Sequence, residues 1–132
     1  MKIKNYTPHK LVFFKEQDCD FDPKSRKLIL RDGAKPILEI DSDGALNARI
    51  AQQDNGSLNI NGIAIPVVAT SYDDVDELPE LGDDEFAVVS FLYAQAAKGL
   101  GFDTSKLYTV MTVYKLVDGR PVPAGAVKLA KI

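Results

Sequence analysis

A chain of 132 residues with 45% hydrophobic and 27% charged residues has the size and composition of one globular domain and excludes a disordered segment. Its 19 acidic residues outnumber its 16 basic ones, giving a net charge of −3. That balance argues against a long nucleic-acid partner, whose binding surface is usually basic.

No apolar run reaches the roughly 20 residues that cross a bilayer, and Lys2 and Lys4 lead into Asn5, not into the apolar core of a signal segment. A cytoplasmic protein with no membrane partner is expected. The single cysteine, Cys19, has no partner for an internal disulfide and reads as a free thiol in a reducing compartment. Its neighbours Asp18 and Asp20 oppose a thiolate, so a nucleophilic role is not expected.

In chain order, Lys2 to Tyr6 alternates as a short half-buried strand does, and Thr7-Pro8-His9 interrupts it. Leu11 to Phe14 reads as a second strand. Asp18 to Ser25, acidic and containing Pro23, reads as a loop. Lys27 to Leu30 is a third strand, ended by the turn signal Arg31-Asp32-Gly33. Pro36 to Ile40 is a fourth, closed by Asp41-Ser42-Asp43-Gly44. Ala45 to Gln53 fits a helix or a strand. Asp54-Asn55-Gly56 has the chemistry of a hairpin turn, and Ser57–Ile60, Asn61-Gly62 and Ile63–Thr70 read as strand, turn and strand. Ser71 to Asp84 is acidic, with Pro79 and Gly82, and reads as an irregular surface segment.

Glu85 to Val89 leads as a strand into a helix over Ser90 to Gly99, with Ser90 as its N-cap. Leu92, Tyr93, Ala96 and Leu100 recur at helical spacing and are expected to face the core. Gly99 and Gly101 supply terminators. Tyr108–Leu116 and Val122–Leu129 close the chain as strands joined through Asp118-Gly119-Arg120. The expected fold is α+β: a mainly antiparallel β-sheet with one or two helices packed on it, in a single domain over 1–132.

No phosphate-binding loop, dinucleotide fingerprint or nucleophile elbow is present, and one histidine with one cysteine does not make a zinc site. The Asp73-Asp74-Val75-Asp76-Glu77 run lacks the spacing of a calcium loop and reads as a solvated acidic face. No enzyme, no cofactor and no metal are therefore expected. Phe91, Gln95 and Lys98 fall at i, i+4 and i+7, on one stripe of the helix. An aromatic face, an amide and a cation together suit a purine-and-phosphate ligand; the alternative is a core Phe91 beside two solvated residues. Lys115 and Arg120 flank the last turn and meet a phosphate only if that hairpin folds toward the helix. His9 is a candidate polar contact or a packed residue fixing the first turn.

The opening Met1-Lys2-Ile3-Lys4-Asn5-Tyr6-Thr7-Pro8-His9 resembles a family of short phage and bacterial proteins that begin Met-Lys-Ile-x-Asn-Leu-Thr-Pro-His. The resemblance continues through Asn61-Gly62-Ile63-Ala64-Ile65-Pro66-Val67-Val68, Asp76-Glu77-Leu78-Pro79, Val89-Ser90-Phe91-Leu92-Tyr93-Ala94-Gln95-Ala96-Ala97-Lys98 and Asp118-Gly119-Arg120. The chain departs from the pattern in an expanded Asp18–Ser25 loop and in carrying Tyr114-Lys115-Leu116 where the family has Val-Arg-Asp.

The pattern looks like the Thoeris anti-defence sponges of phages, small oligomers that bind the cyclic ADP-ribose signals of bacterial TIR enzymes without cleaving them. The resemblance implies a small cyclic nucleotide ligand, a homo-oligomer in the host cytoplasm, and pockets between protomers. On that reading Phe91 stacks, Gln95 hydrogen-bonds, and Lys98, Lys115 and Arg120 hold phosphate. The alternative is a structural or protein-interaction phage protein with no small-molecule ligand; a hydrolase acting on the same nucleotides is the third reading.

Overall fold

The computed structural model describes residues 1–132. Ten strands and one α-helix follow in order: β1 (Lys2–Asn5), β2 (Leu11–Phe13), β3 (Cys19–Asp22), β4 (Lys27–Leu30), β5 (Leu38–Ile40), β6 (Ala48–Ile60), β7 (Ile63–Val75), β8 (Glu85–Val88), α1 (Phe91–Gly99), β9 (Leu107–Val117) and β10 (Arg120–Lys131). A 3-10 turn at Glu16–Asp18 precedes β3.

Eight strands form one sheet whose main path runs β1-β8-β9-β10-β2-β5. β4 pairs with the far half of β9, Ile29 opposite Tyr114, and β3 pairs with β4. The longest ladder of this sheet, β9 with β10, is antiparallel. Yet β1 with β8, β8 with β9, β10 with β2 and β4 with β9 are parallel. The sheet is thus mixed: most of its paired residues are antiparallel, as expected, and four parallel pairings join them. The cause lies in the β8–α1–β9 segment: a helix between two strands returns the chain to the same end of the sheet, so the strands run the same way.

The path curls until its end strands meet at Asn5, the last residue of β1. Asn5 has no exposed surface. Its Nδ2 donates to the carbonyls of His9 (2.9 Å) and of Ile40 in β5 (3.2 Å). Its Oδ1 accepts from the Thr7 amide (3.0 Å) and the Thr7 hydroxyl (2.6 Å). Its backbone N–H donates to the Asp43 carboxylate (2.9 Å), and its carbonyl accepts from the Asp43 N–H (2.7 Å). Both donors and both acceptors of the side-chain amide are therefore in use. In this chain the Asn-x-Thr-Pro-His opening works as a lock that ties the first strand to the exit of β5. His9 contributes its carbonyl; its side chain is exposed, so it is not the packed residue of one reading above.

Two apolar clusters fill the core. Under α1, Val75, Ala87, Val89, Tyr93, Ala94, Ala96, Ala97 and Leu107 pack together. Further along β9, Val113 packs with Phe14 and Cys19, against Leu28, Leu30 and Ala34. Leu92 and Leu100, expected in the core, stand largely outside it. The small Ala94, Ala96 and Ala97 let the helix sit close to the sheet, so the flanking leucines overhang its edge.

The Asp18–Ser25 stretch is not a plain loop, since Cys19–Asp22 forms β3. Asp54-Asn55-Gly56 is not a turn either. It forms an irregularity inside β6, where the Asp54 carboxylate accepts from the Gly56 N–H (3.0 Å). The turn is Asn61-Gly62, with φ of 52° and 83°, the left-handed pair a type I′ hairpin requires. Reversal there pairs two strands of 13 residues, whereas reversal at Asp54 would leave only Ser57–Ile60 to pair back. The longer ladder satisfies more backbone groups and wins. The ambiguous Ala45–Gln53 stretch resolves into strand from Ala48, and strand continues through Ser71–Val75 into the segment expected to be irregular.

Candidate functional site

Helix α1 follows from its sequence as expected: the Ser90 hydroxyl accepts from the Tyr93 N–H (3.2 Å), capping the first turn. Tyr93, Ala94, Ala96 and Ala97 turn inward. Phe91, Gln95 and Lys98 all lie on the opposite, open face. Phe91 is 62% exposed, which removes the alternative of a core phenylalanine. Lys98 stands in the last turn, where a cation also complements the helix dipole.

Lys115 and Arg120 lie elsewhere. Leu107, at the start of β9, packs beneath α1, and Lys115 is eight residues further along the strand. At about 3.3 Å per residue that places Lys115 some 26 Å from the helix end of β9. Arg120 pairs with Val117 beside the Asp118-Gly119 turn, further still. One copy of the chain therefore gathers Phe91, Gln95 and Lys98 on one surface and does not bring Lys115 or Arg120 to it.

Two concavities were not foreseen. A cavity of about 470 Å³ opens beneath the inner side of α1, walled by Val75, Leu78, Tyr93, Ala97, Phe102 and Leu107, with Asp76, Glu77 and Asp103 among its lining residues. Its size falls in the range of small-molecule sites. The Tyr93 hydroxyl spans its wall and donates to the Asp76 carbonyl (2.7 Å); burial, then the Asp76 charge, pushes the Tyr93 phenol up. The Asn47 N–H and then Arg49 hold the Asp76 carboxyl below its usual range. The backbone N–H of Ser105 does the same for Asp103. These carboxylates stay ionised at neutral pH, and that of Asp76 is paired with Arg49 at 3.1 Å. Of its lining residues, only Tyr93 is marked as inward-facing by helical spacing in the sequence.

The second depression, about 400 Å³, lies over the Arg31–Ile37 turn and includes Lys15, Arg31 and Lys35 beside Asp18 and Asp32. Arg31 already holds Asp20, with Nε and Nη2 on the carboxylate at 3.0 and 2.8 Å. The acidic run expected to be a solvated face is partly engaged as well: Asp74 and Asp76 grip Arg49 at 2.8 and 3.1 Å across the base of the β6–β7 hairpin.

Cys19 is buried, and its thiol is pushed up by burial and then by the Asp18 charge, which keeps it protonated and unreactive. The arrangement on the outer face of α1 can bind by stacking, hydrogen bonding and charge; it places no activated nucleophile beside that ligand position. No family model, curated protein or solved structure matches this chain.

Proposed function

We propose that this protein is a phage anti-defence protein that captures a cyclic ADP-ribose-type signal and holds it intact within a homo-oligomer. The observation that carries the reading is the placement of Phe91, Gln95 and Lys98 together on the open face of α1, an aromatic plane, an amide and a cation that the chain's own packing leaves free. The resemblance of the Asn5–His9 opening and of the Val89–Lys98 segment to the phage sponge family points the same way.

A nanomolar complex needs about 12 kcal/mol. One base stack provides about 1–3 kcal/mol, and an open helix face leaves much of the ligand in water. The rest must come from enclosure by a neighbouring copy. Lys115, about 26 Å from the helix end of β9 within one copy, and Arg120, further still, serve the same ligand only from that neighbour. Sequestration needs tight ground-state binding and no preferential binding of a transition state, which the absence of a paired base and nucleophile on this face suits.

Equilibrium dialysis against a cyclic ADP-ribose isomer, followed by heat denaturation and chromatography, tests the reading. Retention followed by release of the unchanged nucleotide supports it; a free nucleotide or an altered product overturns it. Lys98→Glu, on an exposed side chain, should abolish retention while leaving the circular dichroism spectrum unchanged. The competing reading, an interaction protein with no small-molecule ligand, is favoured by one observation, the long exposed β6–β7 hairpin.

A further inference from the structure

The β6–β7 hairpin forms a two-stranded sheet of its own, outside the main sheet. Only its base is docked: Ala48, Tyr72 and Val75 pack with the cluster beneath α1. From Gln52 to Ser71 every residue except Val67 is exposed. Strands of 13 residues reach about 44 Å. A compact domain of this length has a radius of gyration of about 14 Å, so the body cannot cover such an arm.

The arm is also chemically unlike the rest of the surface. Between Ile50 and Tyr72 the only charged residue is Asp54, in a chain with 27% charged residues. Leu58 faces Ile65 and Ile60 faces Ile63 across the ladder, so the four side chains form one apolar patch at the distal end. They are 43% to 62% exposed. Asp54 pairs with Val68, on the opposite face. Isolated two-stranded hairpins are marginal in water, and long uncharged strands with free edges invite association.

The surface area sets the scale of what is missing. A folded monomer of 14.4 kDa is expected to expose about 6,800 Å². This chain exposes 9039 Å² and buries only 16 of its 132 residues. The excess, about 2,200 Å², is of the scale that one subunit gives up in a large obligate homo-oligomer, where interfaces commonly bury about 2,000–5,000 Å² in total.

We infer that the β6–β7 hairpin is an assembly arm whose distal apolar face, Leu58, Ile60, Ile63 and Ile65, packs against the same face of a second copy. An uncharged patch is self-complementary: a two-fold axis through it sets apolar surface on apolar surface and brings no like charges together. The inference deepens the proposed function, which requires a neighbouring copy, by naming where that copy attaches.

The test is the mass in solution, by light scattering or sedimentation, without nucleotide. The wild-type chain should have at least twice the 14.4 kDa of one chain at micromolar concentration. Ile63→Asp combined with Ile65→Asp should give 14.4 kDa with an unchanged far-ultraviolet spectrum, because neither side chain belongs to the chain's own core. Ala64→Asp combined with Thr70→Asp, which adds the same charge to the opposite face, should keep the wild-type mass. A wild-type chain that stays monomeric, as one built to dock a different protein would, overturns the inference. So does an apolar-face variant that keeps the wild-type mass. A wild-type oligomer that retains no nucleotide overturns the ligand reading and leaves the arm standing, whereas loss of retention only on dissociation agrees with both.

Discussion

Replacing Asn5 with leucine keeps the branching and the number of side-chain heavy atoms and removes all of the side chain's polar contacts. Four hydrogen bonds are lost: to the carbonyls of His9 and Ile40, and from the amide and hydroxyl of Thr7. At about 1 kcal/mol net each, the sum is about 4 kcal/mol. Once Asn5 Oδ1 is gone, the single proton of the Thr7 hydroxyl turns to the His9 carbonyl 3.0 Å away, which lies at the surface where water replaces the lost amide donor. The Ile40 carbonyl is only partly solvated and loses its contact to β1. A cost of about 3 kcal/mol follows. With an unfolding entropy near 2.1 cal/mol/K per residue, a chain of 132 residues should lose about 10 °C in Tm. Urea denaturation and calorimetry at matched chain concentration measure both quantities. His9→Ala retains the carbonyl that carries the contact and should stay within about 0.5 kcal/mol of wild type. An Asn5→Leu protein as stable as wild type, or one no less stable than His9→Ala, would refute the lock.

Gly125→Ala should destabilise by more than about 2 kcal/mol, since a Cβ there would stand 2.5 Å from the Val12 carbonyl oxygen and 2.7 Å from the Phe14 ring. Adding Phe14→Leu should recover only part of the loss, because the Val12 contact is backbone; full recovery in chemical denaturation would contradict that account. The Arg49 guanidinium, then the Val75 N–H, hold the Asp74 carboxyl below its usual range, and Asp76 is lowered by the Asn47 N–H and then by Arg49. A lowered folded pKa gives stability that is present above the unfolded carboxylate pKa, about 3.9, and is lost as pH falls through the folded value. Stability should therefore decline on acidification below about pH 4, and less steeply in Arg49→Gln; identical acid limbs in the two proteins would remove this triad from the account.

Local chemistry made several elements legible without any tertiary information. Ser90 and the alanine-rich run after it specify α1, and Asn61-Gly62 and Asp118-Gly119 specify two reversals, because left-handed backbone at consecutive positions is tolerated by few residue pairs. The stripe of Phe91, Gln95 and Lys98 was legible for the same reason, since helical spacing fixes which residues share a face.

Three features were decided only by the assembled fold. Asp54-Asn55-Gly56 carries turn chemistry yet stays inside β6, because the competing reversal at Asn61 satisfies a longer ladder. Lys115 and Arg120 sit far from α1, because β9 runs away from the helix along its whole length and no local signal encodes that distance. Strand direction followed from where α1 returns the chain, which made the sheet mixed. Periodicity and turn residues act over a few positions, so the sequence specifies elements and faces. Which elements meet, and which surface remains uncovered, depends on burial summed over the whole chain; here that sum leaves a bare apolar arm that only another molecule can cover.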